Sequence, residues 1–190
     1  MMIDAAYRIL LRQPNRVSLN DILSESGLST RAFYRHFQSK DDLLIAMFDS
    51  ETERMAAEVK PQMQAAETAR EQLEVWIRHY LAVSFEPRRL RRAQVMLSPA
   101  VTRAEGYSAA LTRSQRRQRE ILVEILEAGV RDGSFRQCDP AADAATIVDI
   151  VSRIVARQHE GIEELDHAAT LAHILSFVSR AIGLDRESPA

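Results

Sequence analysis

The spacing of apolar residues between turn signals limits the fold more than any other feature of the chain. Turn-forming residues fall at Gln13-Pro14-Asn15, Ser26-Gly27, Gln38-Ser39, Pro61, Pro87, Ser98-Pro99, Gly106, Asp132-Gly133, Asp139-Pro140, Gly161 and Gly183. In the intervals between them apolar side chains return every three or four residues, as on one face of a helix, and no run of β-branched residues alternates with polar ones. With 6 Gly and 6 Pro in 190 residues and 46% apolar composition, the chain can bury a core but offers little support for strands. An all-α protein is expected.

The first intervals are short and individually capped. Ile3, Ala6, Tyr7 and Leu10 make a one-sided stripe over residues 3–12. Ser18 and Asp21 form a capping-box pattern that opens a second helix to about Ser24. Gly27 supplies a turn, Ser29 caps a third helix through Phe37, and Ser39 opens a fourth. The later helices are longer, near residues 40–60, 68–85, 88–98, 107–131, 140–159 and 166–182. This pattern predicts a small N-terminal domain over 1–47, a larger helical domain over 48–183, and a flexible tail over 184–190.

Net charge is −2, so the whole chain is not attractive to nucleic acid, but the charge is unevenly placed. Between Gly27 and Lys40 there are three cations and no acid, and between Glu86 and Arg119 nine arginines face two glutamates. The run Pro87-Arg88-Arg89-Leu90-Arg91-Arg92 reads foremost as a solvated helix face, with a second nucleic-acid contact or an acidic-partner site as alternatives. The single Cys138 cannot form an internal disulfide, and no export or membrane-spanning pattern is present, so a cytoplasmic protein is expected. The five histidines include no i,i+4 pair, and there is no Gly-rich phosphate loop, G-x-S-x-G elbow or H-E-x-x-H motif. No metal, no cofactor and no catalytic activity are therefore expected. A redox-sensing role for Cys138 is the minor alternative.

The stretch GLSTRAFYRHFQSKDDLL, from Gly27 to Leu44, concentrates aromatic and cationic residues. On a helix from Thr30, Phe33 and Phe37 share one seam with Leu28, while Arg31 and Arg35 lie opposite it. Thr30 and Tyr34 flank the seam on one side, Ala32 and His36 on the other. A short capped helix with a narrow apolar seam, reached through a glycine turn from another short helix, is the helix-turn-helix layout. Its second helix presents N-terminal side chains to the major groove.

Ser18-x-x-x-Ile22, Gly27-Leu28-Ser29, Phe33-Tyr34-Arg35-His36-Phe37, Lys40 and Leu43 together resemble the DNA-binding signature of the TetR family of bacterial transcriptional regulators. The signature covers about the first 48 residues. The rest resembles the family in plan, with Gly133, Phe135, Asp139 and Pro140 ahead of the penultimate long helix. The resemblance implies that Thr30, Arg31 and Ala32 approach base edges and that Tyr34, His36 and Lys40 approach phosphates. Ser18, Ser29 and Arg35 are counted with the same DNA-binding surface. Arg31 stands where members of the family usually carry a small residue. The implied partners are double-stranded operator DNA, a small-molecule effector and a second copy of the chain, and the implied role is most often repression.

Two sites are expected in the larger domain. Helices 68–85 and 107–131 would enclose an effector pocket lined by Trp76, Tyr80, Phe85, Met96, Leu97, Tyr107 and Leu122, suited to a hydrophobic or aromatic guest; core packing is the competing reading of these residues. On the last two helices the apolar arc is wider than the stripe of about 100° that a surface helix shows. A homodimer interface over Ile147, Ile150, Val151, Ile154, Leu171, Ile174, Phe177 and Val178 would cover it. The alternative function is a helical small-molecule- or partner-binding protein whose DNA-binding head is not the working part.

Overall fold

The computed structural model describes residues 2–160 and 166–184. The expected break at Gly161 and, apart from Leu184, the expected tail over 184–190 lie outside the described residues. Those residues form ten α-helices and one 3-10 turn, and the sole β pairing among them is an isolated bridge between Phe135 and Leu184.

The chain folds into two compact units that interleave in sequence. The first takes residues up to Met55 together with Pro87–Ser114, and the second takes Ala56–Glu86 and the residues from Gln115 onward. The expected boundary at residue 47 falls inside a continuous helix.

In the first unit, α1 (Met2–Arg12) packs against α2 (Leu19–Ser26). Arg8 and Arg12 of α1 both donate to the Glu25 carboxylate, at 2.8 and 2.7 Å. Ser18 and Asp21 close the capping box of α2, which runs two residues beyond its expected end. Gly27 follows at φ 68°, a left-handed conformation that only a residue without Cβ adopts freely. Next comes α3 (Thr30–Tyr34), shorter than expected. The chain leaves it at Arg35 because the following helix makes its own cap: Ser39 Oγ accepts from Asp42 N at 3.0 Å and the Asp42 carboxylate accepts from Gln38 N at 3.1 Å. That helix is α4 (Lys40–Ala65). The unit also contains α6 (Pro87–Met96), α7 (Pro99–Thr102), which the sequence pattern did not reveal, and the start of α8 (Tyr107–Arg131). Leu10, Ile22, Phe33, Leu43 and Leu44 are fully buried in its core.

Pro61 does not end α4. Its ring is exposed, Val59 is buried just before it, and the helix runs on to Ala65. An exposed proline removes one backbone hydrogen bond but need not end a helix that packing holds on both sides.

The second unit contains the remainder of α4 and α8, with α5 (Ala69–Leu81), a 3-10 turn (Ala82–Ser84), α9 (Pro140–His159) and α10 (His167–Ala181). Here α5 is central, touching both α9 and α10, and Trp76, Ile77, Leu81, Leu122, Leu126 and Ile182 are fully buried. Asp139 caps α9 by accepting from Ala141 N and Ala142 N, and Asp166 caps α10 by accepting from Ala169 N.

After α8 the chain turns at Gly133, φ 81°, and folds Phe135 back onto Gly129, whose carbonyl accepts from Phe135 N at 3.0 Å. A Cβ on Gly129 would lie 2.1 Å from the Phe135 ring. Gly129→Ala is therefore expected to destabilise the protein by about 1–3 kcal/mol, as overpacking does in a filled core. Urea unfolding of the variant against the parent measures this, and an unchanged midpoint would contradict it.

Candidate nucleic-acid interface

The DNA-facing surface expected from the sequence is built on α3, and Phe33 builds it. That side chain is fully buried, with Phe37 tilted against it at 5.6 Å between centroids and Tyr34 edge-on at 5.3 Å. With Phe33 held inside, helical geometry turns the neighbouring side chains outward. Thr30, Arg31, Tyr34, Arg35 and His36 are all exposed, while Ala32 is half-buried. Tyr34 is 58% exposed, so its ring rests on Phe33 while most of its surface meets solvent.

The caps supply the rest. Ser29 Oγ accepts from Ala32 N at 3.2 Å. Ser18 Oγ accepts from Asp21 N and donates to the Asp21 carboxylate at 2.6 Å, so its hydroxyl serves the α2 cap. Those bonds hold the Asp21 carboxyl below its ordinary range. Lys40 opens α4 with its ammonium 3.7 Å from the Asp41 carboxylate. Arg31 and Arg35 have no ion pair among the described residues. Two unpaired guanidiniums, one in the first turn of α3 and one at its C-terminal cap, beside hydroxyl and imidazole groups and a lysine at the next helix start, can meet phosphate oxygens and guanine edges.

The seven residues expected to line an effector pocket divide between the two units. Met96 and Tyr107 belong to the core of the first unit, with Tyr107 edge-on to Phe48 at 5.3 Å. Trp76, Tyr80, Phe85 and Leu122 belong to the second unit. There Trp76 and Tyr80 pack at 4.5 Å, Phe85 stacks on His167 at 4.7 Å, and Leu122 is fully buried. Burial pushes the Tyr80 phenol up to about 12. Leu97 is half-buried after the end of α6. The assignment of these helices to two units is invisible in local periodicity.

A cavity of about 550 Å³ in the second unit is lined by other residues. Ala56, Ala57, Val59, Lys60, Met63 and Gln64 of α4 form one wall, Ile121, Glu124 and Ile125 of α8 another, and Gln72 of α5 joins them. The sequence pattern placed most of the first wall on a helix over 40–60 but gave that helix no part in a pocket, and Met63 and Gln64 lie past its expected end.

Of the eight residues assigned to a homodimer face, Ile147, Val151, Leu171, Ile174 and Val178 are already buried within one chain. Ile150 and Ile154 are half-buried, and Phe177 is 43% exposed. The wide arc therefore divides into an inner edge covered by the chain itself and an outer edge left open.

Two family models match the chain: bacterial regulatory proteins, tetR family, over residues 2–47, and tetracyclin repressor-like, C-terminal domain, over residues 66–156. The chain belongs to the TetR family. This regulator carries a DNA-binding domain of that family at its N-terminus. It is similar to the HTH-type transcriptional repressor KstR2 of Mycolicibacterium smegmatis, with 29% identity over 142 residues, or 73% of this chain and 63% of the relative. The aligned part thus spans less than two thirds of that relative's length. In fold it is similar to the regulator FadR from Bacillus subtilis in complex with stearoyl-CoA, with TM-score 0.76, 18% identity, and 95% and 97% of the two chains covered. It is also similar to a transcriptional regulator from Saccharomonospora viridis in complex with choline, with TM-score 0.79, 19% identity, and 97% and 96% covered. No described helix is long and apolar enough to cross a membrane.

The regulator's one cysteine is poorly placed for redox sensing. Burial, a hydrogen bond with Asp143, and the charges of Asp143 and Asp139 push the Cys138 thiol up to about 12. The thiolate is the reactive form, so alkylation of native Cys138 at pH 8 should run at least about tenfold slower than in the urea-unfolded chain. Equal rates by mass spectrometry would contradict this.

Proposed function

We propose that this regulator is a repressor that binds a palindromic operator as a homodimer and releases it when a small amphiphile enters the cavity between α4 and α8. One observation carries the DNA-binding half of this reading. Burial of Phe33 leaves Arg31 and Arg35 exposed and unpaired among the described residues, on the side of α3 away from the core. Arg31, in the first turn, is assigned to a base edge with Thr30 and Ala32 beside it. Tyr34, His36 and Lys40 are assigned to phosphates, where positive charge at a helix N-terminus adds to the dipole. Repression is supported by the similarity to a named repressor.

The effector reading is supported by the lining of the cavity. Six of its ten residues are apolar, with Lys60, Glu124, Gln64 and Gln72 as the polar groups. That mixture suits a guest with an apolar body and one polar end. Two relatives of the same fold hold chemically different ligands, a fatty acyl thioester and a quaternary ammonium, so this chain's own lining is the better guide. For the dimer, the open edge of Ile150, Ile154 and Phe177 is the surface best suited to a second copy.

Selection of bound duplexes from a random pool tests the reading. It should return paired half-sites about 34–36 Å apart or a multiple of that. On the selected duplex, Arg31→Ala should cost about 1–3 kcal/mol and relax preference at one position per half-site. Lys40→Ala should weaken all duplexes alike and lower the salt slope by roughly 0.9. Uniform loss with Arg31→Ala would remove its assignment to a base. Independently, Ile154→Glu should yield monomers in sedimentation and lose operator binding; a variant that stays dimeric would place the interface elsewhere.

A further inference from the structure

The cavity of the second unit carries one cation and one anion, one from each main wall: Lys60 on α4 and Glu124 on α8. Neither makes an ion pair among the described residues. The local sequence explains why. On a helix, the neighbours of a side chain stand three and four positions away. For Lys60 these are Ala56, Ala57, Met63 and Gln64, with no acid among them. For Glu124 they are Glu120, Ile121, Glu127 and Ala128, with no cation among them. The two flanking glutamates are paired along α8, Glu120 with Arg116 at 2.9 Å and Glu127 with Arg131 at 3.7 Å. Of these three glutamates, Glu124 is the one left without a cation, and it is the one that lines the cavity.

Lys60 and Glu124 are exposed, whereas Val59 and Ile125 of the same lining are buried and Met63 and Ile121 half-buried. The charges therefore sit at the rim, and the apolar lining lies deeper. A guest with a single charge would pair with one rim residue and be repelled by the other, which has the same sign as its head. A head that carries both charges pairs with both residues and leaves no like charges facing each other.

We propose that the guest of this cavity is a zwitterionic amphiphile, with its anionic group on the Lys60 ammonium, its cationic group on the Glu124 carboxylate and its chain over Val59, Met63, Ile121 and Ile125. The inference rests on the reading of the cavity as a ligand site given above, and it narrows the class of guest. Gln64 and Gln72 offer amide N–H groups to the remaining oxygens of the head.

Titration calorimetry on the whole protein, with each amphiphile below its micelle concentration, tests this with four decyl probes. Decanoate is anionic and decyltrimethylammonium cationic; decyl dimethylglycine and decylphosphocholine are zwitterions with their charges in opposite order along the head. The better zwitterion should bind at least about fivefold tighter than either singly charged probe, as one added ion pair at a rim permits. Lys60→Met should remove its advantage over decyltrimethylammonium, and Glu124→Gln its advantage over decanoate. Both substitutions put good helix formers at exposed positions, so the variants remain folded, as circular dichroism melts check. Exchanging the charges, with Lys60→Glu and Glu124→Lys together, should restore the preference for a zwitterion, which a merely structural role would not do. Ala57→Trp, which fills the cavity from the α4 wall, should weaken zwitterion binding about tenfold or more. A singly charged probe that binds as tightly as the better zwitterion, an unchanged preference in the variants, or no zwitterion binding overturns the inference. A zwitterion that binds as expected but leaves affinity for the selected duplex unchanged supports the inference and defeats the effector reading, a distinguishable outcome.

Discussion

Burial of Phe33 is the interaction on which the functional surface depends. Helix α3 has only five residues, far below the length at which a helix persists in water on its own. It exists because Ser29 satisfies the free N–H of Ala32 in its first turn and because Phe33 enters a core already formed by Leu10, Ile22, Leu43 and Leu44. The same burial determines where everything else points. A rotation that exposed Phe33 would turn Arg31 and Arg35 toward the protein, so core packing and base reading are two sides of one helix.

The second constraint is continuity. Helices α4 and α8 each have residues in both compact units, and each contributes to the core of the first and to the cavity wall of the second. Each helix is therefore shaped by two sets of neighbours, apolar core residues at one end and the mixed lining of the cavity at the other.

How much could be read in the sequence depended on how local each determinant was. The caps at Ser18, Ser29 and Ser39, the turn at Gly27 and the inward face of Phe33 and Phe37 follow from residues within a few positions of one another, and all are present in the structure. Helices 107–131 and 140–159 were legible because strong caps or turns bound long, regular stripes. Pro61 misled because helix continuation there depends on the burial of Val59, a tertiary fact. Met96 and Tyr107 look like pocket residues in a local window, but they pack in the core that contains Phe33 and Phe48. The apolar arc of α9 and α10 was visible, yet periodicity could not show that Ile147 and Val151 are covered within the chain while Phe177 is not.

Guanine methylation interference on the selected duplex tests the central claim most directly, because N7 methylation blocks only major-groove contacts. Two symmetric patches of interference about one helical turn apart, or a multiple of that, are predicted, each including a guanine opposite Arg31. Binding that is insensitive to guanine methylation throughout the duplex would contradict the account, since α3 would then not be reading the major groove.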